Sequence, residues 1–191
     1  MNILHIDSSI QGAASASRVL TREIVAQLKA AQPRATVTYR NLAAGALHHL
    51  RALPQTDAAD AARDAATLDE FLAADVIVIG APIYNFSIPS QLKAWIDRIA
   101  VAGKSFRYTE SGPQGLVQGK KVIVALAHGA VHTPGATPEF GESYLQFLFG
   151  FLGIEDVTFV RAQGLSLSPR QRTAALEAAV SAIRVPVQLA A

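Results

Sequence analysis

Five short runs rich in Ile, Val and Leu recur along the chain with a helical pattern in the gaps between them. They are Asn2 to Asp7, Thr36 to Asn41, Asp75 to Ala81, Lys121 to His128 and Asp156 to Ala162. Each is too short for a helix and is closed by Gly, Pro, Ser or Asp, so each reads as a strand. Four are nearly continuous in apolar residues, as strands covered on both faces of a parallel sheet must be; the second, Thr-Val-Thr-Tyr-Arg, alternates and suits an edge. Between them, Leu20, Ile24 and Leu28 share a helical stripe, as do Ala61, Ala65, Leu68 and Leu72, then Leu92, Ile96 and Ile99, and finally Leu176, Val180 and Ile183. Thr137-Pro138 and Ser168-Pro169 each set a capping hydroxyl before a proline, the pattern of a helix start. Alternation of this kind demands right-handed crossovers and an open sheet with helices on both faces. Five strands predict a flavodoxin-like α/β three-layer sandwich, a parallel sheet in the order 2-1-3-4-5.

Composition narrows the function classes. A chain of 191 residues predicts one domain over residues 1–191, and half the residues are hydrophobic with only 17% charged, enough for a large core. The net charge of +2 comes from scattered Lys and Arg, so neither nucleic acid nor a membrane surface is an expected partner. There is no cysteine, which removes disulfides, thiolate metal sites and a thiol nucleophile. Met1 leads straight into an apolar run carrying His5 and Asp7, without a secretory leader pattern, and a cytoplasmic, reducing location is the expectation.

In a doubly wound sheet, ligands sit beyond the carboxyl ends of the strands near the switch point, so three loops carry the chemistry. After the first strand, Ser8-Ser9-Ile10-Gln11-Gly12-Ala13-Ala14-Ser15-Ala16-Ser17-Arg18 runs into a helix whose free N–H groups and positive dipole end form a phosphate cradle, with Ser9, Ser15 and Ser17 as added donors. The plainer reading is that these serines only cap the helix. After the third strand, Ile83-Tyr84-Asn85-Phe86 lies between Pro82 and Pro89, and an exposed Tyr and Phe beside an amide suit a flat heteroaromatic ligand; core anchoring is the alternative. After the fourth strand, Ala127-His128-Gly129-Ala130 lets backbone approach a ligand closely, and His132 follows. His128 and His132 are four apart, but no Glu follows the first, and Gly129 opposes a zinc-binding helix, so no metal is expected. His5, His48 and His49 read as ordinary. Gly119-Lys120 enters a strand instead of leaving one, which argues against a nucleotide-triphosphate loop.

Two segments carry a resemblance. Ala81-Pro-Ile-Tyr-Asn-Phe-Ser-Ile-Pro-Ser-Gln-Leu-Lys-Ala-Trp95 and Phe106-Arg-Tyr-Thr-Glu-Ser-Gly-Pro-Gln-Gly-Leu-Val-Gln-Gly-Lys120 resemble signature segments of the FMN-dependent NADH:azoreductase family, whose members double as quinone reductases. The similarity extends from the Ser8-Ser9 loop to Phe147-Leu-Phe-Gly-Phe-Leu-Gly-Ile154. The resemblance implies a homodimer with one FMN per subunit, reduced by NADH or NADPH and reoxidised by a quinone or an aromatic azo compound in a ping-pong cycle. It implies phosphate contacts at Ser9, Ser15, Ala16 and Ser17, and ring contacts at Ile83, Tyr84, Asn85, Phe86, Ala127, His128, Gly129 and Ala130. Flavin N5 carries the hydride, so no catalytic side chain is obligatory, and His128 and His132 are candidate auxiliaries. The last loop departs from a frequent Ser-Arg-Gly-Gly pattern, with His128 and Ala130 in place of the Arg and the second Gly. The stretch from Ala44 to Thr56 is shorter than in many relatives, and Gly45 to Leu53 is expected to be idiosyncratic.

Phe147, Leu148, Phe149, Phe151 and Leu152 are apolar on more than one helical face, which fits a deep helix or, with the family, a subunit contact. The alternatives are a flavodoxin-type electron carrier or a general NAD(P)H:FMN reductase; carriers are typically acidic, against +2 here. A phosphoaccepting receiver lacks its carboxylate where the third strand ends Gly80-Ala81-Pro82, and a serine hydrolase lacks its Gly-x-Ser-x-Gly elbow.

Overall fold

The structure is a computed structural model that describes residues 1–45, 47–53, 55–133 and 139–185. Parallel strands β1 (Asn2–Asp7), β2 (Thr36–Asn41), β3 (Val76–Pro82), β6 (Lys121–Ala127) and β7 (Asp156–Ala162) form one sheet in the order β2-β1-β3-β6-β7. A small antiparallel hairpin, β4 (Phe106–Thr109) with β5 (Gly112–Gly115), is inserted before β6. It lies outside the sheet, so the five sheet strands keep the expected spatial sequence while their chain numbering shifts. Strand periodicity did not reveal it, because Gly112, Pro113 and Gly115 carry no apolar alternation.

The helices are α1 (Ala16–Ala31), α2 (Ala58–Ala73), α3 (Ser90–Ile99), α4 (Gly141–Leu152) and α5 (Pro169–Ser181). Alternate side chains of the sheet feed two cores. Leu4, Ile6, Ile77, Ile79 and Val124 meet Phe71, Trp95, Ile99, Phe149 and Leu152 on the α2, α3 and α4 side. Ile3, Val76, Val78, Ile123 and Ala125 meet Leu20, Ile24, Leu28, Ala179 and Ile183 on the α1 and α5 side. β3 is buried along its whole length, as its unbroken apolar run requires, and β2 is the exposed edge. β7, read with the covered strands, is the opposite edge, and only Val160 and Ala162 in it are buried.

One helix reading needs correction. In α2 the inner face is not Ala61 and Ala65, which are exposed, but Asp60, Leu68 and Phe71. Carboxylates take the inner positions because cations meet them there: Arg51 donates to Asp60 at 2.9 Å and Arg98 to Asp64 at 2.5 Å. Ser168 caps α5 with Pro169 in its first turn, as expected, whereas the start at Thr137-Pro138 lies outside the described residues. The cap seen at α4 is the Glu139 carboxylate, which accepts from the amides of Gly141 and Glu142.

One glycine fixes the hairpin. A Cβ on Gly115 would lie 2.2 Å from the Gly153 nitrogen and 2.3 Å from the Leu152 carbonyl carbon, so β5 rests directly on the last turn of α4. That turn ends on Gly153 in the left-handed region, at φ 97°, and Val117 N–H donates to the Leu152 carbonyl at 2.9 Å.

Candidate functional site

The carboxyl ends of β1, β3 and β6 bring the three chemistry-bearing loops to one edge of the sheet. β1 ends on Asp7, which is buried and accepts from Thr21 at 2.8 Å and from Tyr39 at 3.0 Å, with His5 at 3.6 Å. Burial pushes its carboxyl pKa up, but the His5, Thr21 and Tyr39 contacts outweigh that and hold it below the usual carboxylate range. Ser8 turns inward and donates to the Gly80 carbonyl at 2.6 Å, so it braces the loop instead of facing a ligand.

The next residues form the cradle. Ser9, Ser15 and Ser17 are all at most 1% exposed. Ser15 caps α1 by accepting from Arg18 N–H at 3.3 Å, and its Oγ lies 3.1 Å from that of Ser17. The amides of Ala16 and Ser17, the first two of α1, have no protein acceptor among the described residues. Arg18 clamps the loop by donating to the Ser9 carbonyl at 3.0 Å and to Asn41 at 2.7 Å. Arg172 reaches across from α5 to the Ala14 carbonyl. Buried hydroxyls, two open amides and a helix dipole, with no carboxylate bonded to them, make a site for an anion's oxygens.

The second loop is a tight turn. Tyr84 and Ser87 exchange both backbone hydrogen bonds, at 2.9 and 3.1 Å, which forces the two residues between them into the left-handed region: Asn85 at φ 48° and Phe86 at φ 71°. They are the only non-glycine residues with positive φ among those described. Strain of this kind costs on the order of 1–3 kcal/mol per residue and clusters at binding sites. Its effect here is to place exposed Asn85 in the lining of a cavity and to leave Phe86 60% exposed at the rim. The Tyr84 hydroxyl lies 3.1 Å from Ser9 Oγ and so joins this turn to the cradle.

The third loop is stitched to its neighbours through its carbonyls. Ala127 O accepts from Ile83 N–H at 2.9 Å, while those of His128, Gly129 and Ala130 accept from Leu165, Ser166 and Gly164 at 2.9 to 3.1 Å. The amides of Gly129 and Ala130 have no protein acceptor among the described residues. A Cβ on Gly129 would come within 2.8 Å of Ser166 Oγ, so a glycine lets the loop lie this close. His128 is 6% exposed; burial pushes its pKa below the ordinary histidine value, with Glu139 and Glu142 opposing and His132 and Arg161 reinforcing that direction.

Of the residues singled out from sequence, Ile83, Asn85, Phe86, His128, Gly129, Ala130 and His132 surround one cavity of about 310 Å³. Ser9, Ser15, Ala16 and Ser17 form the cradle beside it, Tyr84 spans the two, and Ala127 contributes its backbone beneath. Sequence reasoning missed Glu139, which lines the cavity and caps α4; an acid just ahead of an apolar helix was the available signal. Among the described residues no cluster of metal-ligating side chains occurs.

The donor set suits a phosphorylated, flat, polar-edged ring: oxygens for the cradle, an apolar wall from Ile83 and Phe86, and open amides at Gly129 and Ala130. The family model with the description "Flavodoxin-like fold" matches residues 1–185. An FMN-dependent NADH:quinone oxidoreductase of Xanthomonas oryzae pv. oryzae is 54% identical over 186 residues, covering 96% of this chain and 95% of that protein. One of Sinorhizobium fredii is 55% identical over 196 residues with the same coverage. Among solved structures, an FMN-dependent NADH-azoreductase from Bacillus anthracis str. Ames Ancestor, in complex with FMN, aligns with TM-score 0.83 at 26% identity, covering 95% of this chain and 97% of that one. The chain therefore belongs to the flavodoxin-like family, and within it to the FMN-dependent NADH:quinone oxidoreductases.

Proposed function

We propose that this protein is an FMN-dependent oxidoreductase that uses NADH or NADPH to reduce quinones by two electrons and to cleave aromatic azo compounds to amines in a ping-pong cycle. The observation that carries the reading is the junction of cradle, strained turn and open-amide loop at one sheet edge, tied together by Tyr84 and Ser9. Bound there, FMN supplies the hydride exchange that links the nucleotide to the acceptor.

The chain's own residues do the rest. Ser9, Ser15 and Ser17 with the Ala16 and Ser17 amides would take the phosphate, with the α1 dipole adding to each bond. Ile83, Tyr84, Asn85 and Phe86 would hold the ring system by one edge and Ala127 to Ala130 by the other. The open amides of Gly129 and Ala130 would supply backbone dipoles to stabilise negative charge on that edge, a role that buried His128, favouring its neutral form, would not fill. Phe86 at the rim offers a flat apolar surface to an arriving aromatic acceptor, a contact of low specificity that favours a broad acceptor range.

Replacing Asn85 with alanine removes the polar side chain from the cavity and is expected to weaken FMN binding by about 1–3 kcal/mol. Fluorescence titration of the apoprotein measures this, and an unchanged FMN affinity would take Asn85 out of the site.

The apolar face of α4 supports a homodimer. Phe147 is 74% exposed and stacks on Phe151 at 6.4 Å; Phe151 meets Phe106 at 4.7 Å, and Phe106 meets Tyr108, itself 75% exposed, at 5.5 Å. An aromatic ladder anchored on buried Phe106 with both ends, Phe147 and Tyr108, open to water favours a protein partner, and a second copy is the one the family reading supports. Sedimentation equilibrium is expected to give twice the chain mass, and a monomer across micromolar concentrations would exclude the dimer. Among the described residues no helix is long and apolar enough to cross a membrane, and a cytoplasmic, one-domain enzyme over residues 1–191 completes the proposal.

A further inference from the structure

The side chains of two histidines beside the cavity, His128 and His132, are the candidate auxiliaries. His128 and His132 stack with ring centroids 6.0 Å apart and 23° between their planes. His128 Nε2 and His132 Nδ1 are both buried and have no hydrogen-bond partner among the described residues. Left unsatisfied, two such atoms would cost about 1–3 kcal/mol each, so both are placed to bond a molecule that enters beside them. The same two rings, with Glu139, line both the ligand cavity and a second, polar cavity of about 490 Å³ whose other walls include Glu142, Arg161 and Gln163. The imidazoles thus form the partition between a polar compartment and the place where an acceptor would sit.

We propose that His132 is the proton donor to the acceptor and that His128, bridged to it by water, positions and recharges it from the polar cavity. This rests on the oxidoreductase reading above. A quinone that gains a hydride, and with it two electrons from the nucleotide by way of the cofactor, carries a negative charge on one oxygen. An N–H bond of His132 breaks and an O–H bond forms there, which completes the hydroquinone. His132 then regains its proton from His128 and the polar cavity, so nothing is consumed besides the nucleotide, the quinone and one solvent proton.

The surroundings suit a shared proton. Two adjacent imidazolium rings would repel, and with ring centroids 6.0 Å apart the two are close enough to pass one proton between them through a single water. Glu139 and Glu142 face His128 from the segment that opens α4 and favour its charged form; Arg161 from β7, His132 and burial oppose it. Glu142 is engaged by Arg161, whose Nε donates at 2.8 Å, and Glu139 by the amides of Gly141 and Glu142, so both carboxylates are held in place beside the pair.

The test uses FMN-loaded protein reduced by NADH and then mixed with either a quinone, which takes protons, or ferricyanide, which takes electrons alone. In His132→Gln the quinone rate relative to the ferricyanide rate is expected to fall by about 10²-fold or more, the ordinary worth of general acid catalysis. In His128→Gln the ratio falls less, and the alkaline limb of the quinone pH profile moves. Independently of the cofactor, NMR titration of the apoprotein is expected to show the two imidazoles titrating together, and His132 titrating in a single uncoupled step in His128→Gln. A quinone-to-ferricyanide ratio unchanged in both variants, or two imidazoles that titrate independently in the unmodified protein, overturns the relay while leaving the oxidoreductase reading intact. Wild-type protein that NADH fails to reduce overturns that reading and the relay with it.

Discussion

Ser15→Asp is expected to lower FMN affinity by about 100-fold or more while leaving the fold intact. Aspartate caps a helix as well as serine does, so the bond to Arg18 N–H and the start of α1 survive the change. What changes is charge. Ser15 is 1% exposed, and its hydroxyl is one of three that meet in the cradle, so the new carboxylate sits where phosphate oxygens must lie. Like charges at such range cost several kcal/mol, and about 1.4 kcal/mol is a factor of ten in affinity. Ser15→Ala makes the opposite trade, losing the cap at about 1 kcal/mol of stability with no added charge. Isothermal titration of FMN into each apoprotein, with thermal melts alongside, separates the two effects. An aspartate variant that binds FMN as tightly as the parent would mean that the phosphate lies elsewhere.

Asp64→Ala is expected to cost about 3 kcal/mol of stability, because it strands the Arg98 guanidinium in the interior. The Arg98 side chain is 3% exposed; its Nε donates to Asp64 and its Nη1 to the Ala94 carbonyl at 2.8 Å. Asp64 retains partial solvent access, which places the cost at the lower end of the range for broken buried pairs. For a chain of this size that corresponds to a fall in Tm of about 6–12 °C. Lys93 with Asp97 on the surface of α3 is the control, and Asp97→Ala is expected to cost less than about 1 kcal/mol. Equal losses in the two variants would contradict the account of α2. The consequence reaches function, because this pair joins α2 to α3, and α3 begins just after the strained turn.

The fold was legible wherever a single period governed a segment. β1, β3 and β6 are unbroken apolar runs because both faces are covered, and α1 and α3 keep their stripes because each packs one face on the sheet. Legibility failed where side-chain pairing or backbone geometry replaced periodicity. Alanines on α2 looked like its inner face, yet Asp60 and Asp64 occupy that side, since Arg51 from the preceding loop and Arg98 from α3 neutralise them there. The hairpin β4–β5 is held by the fit of Gly115 against Gly153, a contact that no alternation records. At the site, the serine loop, the aromatic turn and the glycine loop were candidates from residue type, and Ser15 caps α1 as the plainer reading of the serines expects. What could not be read was the left-handed pair Asn85 and Phe86, the buried stack of His128 on His132, and the part of Glu139, all of which depend on how three distant loops meet.

The central claim is that the crevice at this sheet edge holds FMN and passes hydride equivalents through it. The direct measurement is to incubate the purified apoprotein with FMN, remove the excess, and add NADH under anaerobic conditions while following the visible flavin absorption. The account predicts yellow protein that retains FMN in preference to FAD, bleaches on NADH, and recovers its colour when a quinone is added. Protein that stays colourless with FMN in excess, or that binds it and is neither bleached by NADH or NADPH nor recoloured by a quinone, would contradict it.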